Sequence, residues 1–109
     1  MRYLITESQL DRMINKYLDN QDFIQIRKGA TIFFVNSKDD EYSEIRYDKI
    51  GGWCYIVVDL IGEVSSFFSL EPSVSYEVIG RWVENTLQMK VMEIRGAKPA
   101  PNVWIRVNN

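Results

Sequence analysis

The run Trp53-Cys54-Tyr55-Ile56-Val57-Val58-Asp59-Leu60 restricts the fold more than any other stretch, because as a strand it has no polar face. Alternation puts Cys54, Ile56, Val58 and Leu60 on one side and Trp53, Tyr55 and Val57 on the other. A strand of this kind is central in a sheet and covered twice, or it turns its second side to another chain. The rest of the sequence has to supply those covers.

Three further extended segments precede it. Residues 23–28 are followed by a Gly29-Ala30 turn, and Thr31-Ile32-Phe33-Phe34-Val35 reads as a β-rich run covered on both sides. Asn36-Ser37-Lys38-Asp39-Asp40 is a hairpin connection of polar turn formers. In residues 42–48, Ser43, Ile45 and Tyr47 oppose Tyr42, Glu44 and Arg46, the pattern of an edge strand, and Gly51-Gly52 separates it from the apolar run.

Helical periodicity brackets this block. Leu10, Met13, Ile14, Tyr17 and Leu18 form one helical face, a pattern that packs a helix on a sheet, and Asp19-Asn20-Gln21-Asp22 ends it. Its start carries a capping box of Thr6 with Gln9 and a staple of Ile5 on Leu10. From Asp59, read as an N-cap, Ile61, Val64, Phe67 and Phe68 fit a short helix that Ser69-Leu70-Glu71-Pro72 breaks. A third helix from Ser73 carries Val74, Val78, Ile79, Trp82, Val83 and Leu87 on one face, with Gly80 marking close packing. Strands over 90–94 and 103–107, joined by a loop from Gly96 to Pro101, complete the chain. The order predicts an α+β fold: a largely antiparallel sheet of four to six strands packed with an N-terminal helix and two later helices, in one domain over residues 1–109.

A chain of 109 residues with 3 Trp, 6 Tyr and 5 Phe can bury one core without a staple. The single Cys54 forms no internal disulfide, which fits a reducing compartment. No apolar run approaches the roughly 20 residues of a membrane span, and a helix cap so near Met1 leaves no room for a leader, so the expected location is cytoplasmic.

Histidine is absent, which removes the commonest general base and metal ligand together. One cysteine builds no zinc site, and Cys54, on an apolar face, reads as a core thiol. Asp39, Asp40 and Glu41 lack the spacing and central glycine of a calcium loop. Lys49-Ile50-Gly51-Gly52 lacks the order of a phosphate loop, and Lys28 to Val35 meets an RNA-recognition pattern at only a few places. No cofactor, metal or catalytic residue is expected.

What remains is a surface. Arg46, Tyr47, Trp53 and Tyr55 form an aromatic and basic set on adjacent strands, for which cross-strand packing outweighs base stacking. Trp104 and Arg106 share one face of the last segment, opposite Val103, Ile105 and Val107. The formal charge of −2 excludes a broad phosphate-binding footprint, but residues 89–109 hold four basic groups, Lys90, Arg95, Lys98 and Arg106, against one acidic group, so this tail suits an anionic partner. The candidate interaction surface is therefore Arg46, Tyr47, Trp53, Tyr55, Trp104 and Arg106.

Tyr3-Leu4-Ile5-Thr6-Glu7-Ser8-Gln9-Leu10 resembles the opening of small uncharacterised proteins of tailed phages infecting marine bacteria and cyanobacteria. Phe67-Phe68-Ser69-Leu70, followed by a helix with Trp82 and Val83, is similar to a second feature of that group. The resemblance implies a viral source and expression in the host cell cytoplasm; it supplies no activity or site residue. The leading expectation is a small non-enzymatic protein-interaction module, oligomeric, binding itself or another protein. The alternatives are a single-stranded nucleic-acid-binding protein acting through Arg46, Trp53, Tyr55 and the basic tail, and a small enzyme using carboxylate and tyrosine chemistry.

Overall fold

The two-sided strand does lie inside a sheet, and its neighbours follow from short local turns. The structure, a computed structural model, describes residues 7–98 and 103–107. Helix α1 (Glu7–Asp19) precedes strands β1 (Ile24–Lys28), β2 (Thr31–Val35), β3 (Ile45–Asp48) and β4 (Trp53–Val57); helices α2 (Val58–Phe68) and α3 (Pro72–Leu87), strand β5 (Glu93–Ala97) and a 3₁₀ turn (Val103–Ile105) follow. The sheet has five strands in the order β1-β2-β3-β4-β5, antiparallel except for the parallel pair β4-β5. This is an α+β fold with a mostly antiparallel sheet, an N-terminal helix and two later helices. Among the described residues no helix is long and apolar enough to cross a membrane.

Gly52 decides how the last strand joins. Its φ of +66° closes the β3-β4 hairpin, and a Cβ there would stand 3.1 Å from the backbone of both Lys90 and Met92. The missing side chain admits the chain entering β5, whose Met92 and Glu93 N–H groups both donate to the Gly52 carbonyl, at 2.8 and 3.2 Å.

Helices cover one face only. Ile14 and Leu18 of α1, Leu60, Ile61 and Val64 of α2, and Val78, Ile79, Trp82, Val83 and Leu87 of α3 close over Ile32, Phe34, Ile45, Tyr47, Cys54 and Ile56. Trp82 ties the layers: its ring lies 5.9 Å from Phe23 and 5.4 Å from Phe34, and its indole N–H donates to Asp19 at 2.9 Å. Arg81 clasps Asp11 with two 2.8 Å hydrogen bonds, fixing α3 on α1. Phe33 and Val35 turn to the opposite face, where Val107 buries them beside Ile24 and Ile26. Residues 31–35 are thus covered on both sides.

Several expected boundaries move, each for a local reason. The strand over 53–60 ends at Val57, because Val58 begins a helix that buries Leu60, Ile61 and Val64 together; Val57, not Asp59, is the N-cap, without a side-chain bond. β3 is flanked by β2 and β4, so it is not an edge strand; its polar residues Arg46 and Asp48 pair with each other. The strand over 90–94 begins only at Glu93, since the Val91 N–H is taken by the Glu84 carboxylate at 2.8 Å. Residues 103–107 form a 3₁₀ turn and one isolated bridge, Tyr42 to Arg106, because their backbone partners are the Glu41 carbonyl and Ser43 N–H of a loop. The Thr6 cap, the Ile5 staple and the prolines of the 96–101 loop lie outside the described residues.

Gly80 bears out close packing: a Cβ there would stand 2.5 Å from Ile94 Cδ1. Gly80→Ala gains about 1 kcal/mol of helix propensity but must displace Ile94, and overpacking costs about 1–3 kcal/mol. The expected net change in urea unfolding is a loss of about 1 kcal/mol. In an Ile94→Val background, which lacks Cδ1, the same substitution is expected to be neutral or stabilising.

Candidate interaction surface

The register lays out the face that carries no helix. One row across the sheet reads Ile26, Phe33, Arg46, Tyr55, Arg95, and the next reads Lys28, Thr31, Asp48, Trp53, Glu93. Trp53 and Tyr55, two residues apart on β4, share a side; their rings lie 6.2 Å apart at 17°. Trp104, brought back by the C-terminal segment, lies 5.5 Å from Tyr55 at 3°. Rings this parallel and this close cannot sit side by side in one plane, so they form an offset-stacked column. Arg95 lies over Trp53 at 5.3 Å, and Trp104 is 52% exposed.

Arg46 organises the centre. Its guanidinium is 5.7 Å from the ring centroids of both Phe33 and Tyr55, while Nε donates to Asp48 at 3.0 Å and Nη1 to the Trp104 carbonyl at 2.9 Å. The C-terminal segment is anchored at further points: Ser43 donates its N–H and hydroxyl to the Ile105 carbonyl, Val107 N–H donates to Glu41, and Lys28 Nζ donates to the Val107 carbonyl at 2.8 Å. Ile105 and Val107 are buried and Trp104 and Arg106 exposed, so over 104–107 the expected alternation survives without a strand.

Of the six candidate residues, Arg46, Trp53, Tyr55 and Trp104 come together. Arg106 stands apart, bridged to Tyr42 and 3.3 Å from Glu41. Tyr47 does not belong to the surface: it is 3% exposed on the helix side, its hydroxyl donates to the Lys90 carbonyl at 2.7 Å, and burial raises its pKa. Its alternation with Ile45 is the signal that separates it from Arg46. Arg95 is the added member; a strand over 90–94 hides it, and only the true register sets it beside Tyr55.

The charge of this face is locally balanced. Arg46 pairs with Asp48 at 3.0 Å, Arg95 lies 3.9 Å from Glu93, and Arg106 lies 3.3 Å from Glu41. Of the cations in the tail, Arg95 and Arg106 thus each lie beside a carboxylate, which weakens the positive field they could present.

Other candidate chemistry resolves into structure. Burial pushes the Cys54 thiol up to about 12, which keeps it from acting as a thiolate. Asp40 accepts the N–H groups of Asn36 and Ser37, both at 3.0 Å, and so closes a turn. Among the described residues no three His, Cys, Asp or Glu side chains gather as a metal site. A depression of about 450 Å³ lined by Gln9, Arg12, Met13 and Lys16 lies on α1, away from the aromatic column. The chain matches no family model, no curated protein and no solved structure.

Arg46→Ala removes a charged hydrogen bond to Trp104 and is expected to cost about 1.5–3 kcal/mol. Hydrogen exchange should quicken at the Ser43 and Val107 amides, which bond across to and from the C-terminal segment, while α3 amides keep their order of protection.

Glu44 supplies a pH test. Burial raises its carboxyl pKa, opposed by the Asn36 hydrogen bond and assisted by Glu63, Asp59 and Asp40. The folded state thus holds the proton more tightly than the unfolded chain, so this contribution is present below the unfolded value of 4.5 and lost as pH rises through the raised one. Glu44→Gln, which keeps an acceptor for Asn36, is expected to raise Tm at neutral pH, with the advantage closing under acid conditions; a lower Tm at neutral pH contradicts this.

Proposed function

We propose that this chain is a small non-enzymatic protein-interaction module, oligomeric, whose contact surface for a partner protein is the aromatic and arginine face of the sheet. The observation that carries the reading is the column of Trp53, Tyr55 and Trp104 beside Arg46 and Arg95 on the side without helices. Trp, Tyr and Arg are the side chains that dominate the energy of protein interfaces, the rings because they bury a large area with two torsions to immobilise and Arg because its planar fork makes several directed contacts. Support for a non-enzymatic role comes from a sequence without histidine and a thiol raised to about 12. The likeness to tailed-phage proteins makes the host cytoplasm the proposed setting.

Single-stranded nucleic acid is the second reading, favoured by the stacked rings. The pairing of Arg46, Arg95 and Arg106 with carboxylates weighs against it, because phosphate binding draws on unopposed cations.

Two measurements separate these. Immobilised wild-type chain is expected to hold a partner protein whose recovery falls about 30-fold on Trp53→Ala or Tyr55→Ala, with circular dichroism unchanged. A labelled oligothymidylate at low salt is expected not to bind. Salt-dependent binding of the oligonucleotide, lost in the same variants, would replace the protein-interaction reading with the second one.

A further inference from the structure

The two edges of the sheet differ in kind. β1 carries Arg27 and Lys28 and no acidic residue, a guard against pairing. β5 closes the sheet on the other side and carries both signs: Glu93 and Arg95 lie on the aromatic face, 51% and 59% exposed, 3.9 Å apart. Ile94 is half-buried on the helix side, Gly96 is exposed, and Met92 just before the strand is 62% exposed.

The polarity of that edge follows from the parallel ladder. Glu93 spends its N–H on Gly52, and the register runs from Trp53 with Glu93 to Val57 with Ala97. Alternation then turns the backbone groups of Glu93, Arg95 and Ala97 toward β4, and the N–H and C=O of Ile94 and Gly96 outward.

We propose that β5 pairs antiparallel with β5 of a second copy about a two-fold axis at Ile94, joining two sheets into one. This rests on the oligomeric part of the function proposed above. At this axis the outward N–H and C=O of Ile94 exchange hydrogen bonds with those of Ile94 in the second copy. Glu93 then stands opposite Arg95 of the second copy and Arg95 opposite its Glu93, giving two cross-strand ion pairs on the aromatic face. Met92 falls opposite Gly96 of the second copy, whose missing side chain makes room for the hydroxyl of Tyr76. On the helix side of the seam lies a depression of about 180 Å³ lined by Glu77, Gly80, Arg81, Glu84, Val91 and Ile94.

The other registers are poorer. An axis at Arg95 or Glu93 sets like charges against each other, and an axis at Gly96 aligns outward groups but faces Arg95 with Ala97. The charge pattern of this strand is self-complementary about Ile94, and that of β1 is not.

Sedimentation equilibrium of the whole chain tests this. The wild type is expected to show a reversible dimer. Arg95→Glu and Glu93→Arg each convert two attractive pairs to repulsive ones and are expected to weaken it roughly tenfold or more. The double exchange Glu93→Arg with Arg95→Glu is expected to restore it, although it removes the Arg95 contact to Trp53. Ile94→Cys in a Cys54→Ala background, which removes the thiol that Ile94 faces on β4, is expected to oxidise to a covalent dimer.

A wild type that stays monomeric, or a dimer indifferent to Arg95→Glu, would overturn the inference. So would a dimer lost with Trp53→Ala and kept in Arg95→Glu, which moves self-association to the aromatic face and leaves the interaction function standing. Failure of that function reads out separately, as a partner indifferent to Trp53 and Tyr55 or as binding of the oligonucleotide.

Discussion

Arg46 stands on the side of the sheet that the helices leave bare, and its guanidinium holds that side shut. It lies against Phe33 and Tyr55, is neutralised by Asp48, and binds the carbonyl of Trp104. A charge at such a place is tolerable because Nε meets the Asp48 carboxylate, Nη1 meets a carbonyl and the side chain keeps 21% of its surface in water. The C-terminal segment it fastens carries Val107 onto Phe33 and Val35 and Trp104 onto Tyr55. The second core and the aromatic column therefore share one polar anchor.

That arrangement explains how an apolar strand can have a cover on each face when helices exist for only one. On the helix side burial is nearly complete, with Cys54 and Ile56 at 0% exposure. On the other side Trp53 and Tyr55 are half-buried, covered by each other, by Trp104 and by arginine stems. A surface assembled this way holds its rings in place by packing them on one another and on the segment that Arg46 fastens.

Much of this was legible in residue order, and the parts that were not share a cause. Periodicity over Leu10 to Leu18 and Val74 to Leu87 depends on local spacing alone, and those helices lie where it places them. A β-rich run identified β2, and alternation the start of β4, for the same reason. The end of β4, the start of β5 and the form of residues 103–107 depend on partners remote in sequence: Gly52 for Met92, Glu84 for Val91, Glu41 and Ser43 for the last turn. The candidate surface divided along the same line. Trp53, Tyr55 and Arg46 follow from neighbouring strands, whereas Arg95 and the opposite placement of Tyr47 required the register.

The parallel joining of β5 to β4 also orders events in time. The pairs β1-β2, β2-β3 and β3-β4 close over short connections, but β5 reaches its place only after both later helices have been made. A chain emerging from the ribosome thus holds a nearly formed sheet whose β4 edge and aromatic side wait for residues synthesised later. During that interval the backbone edge of β4 that β5 will cover is unpaired, and an unpaired strand edge is a template for pairing with another chain.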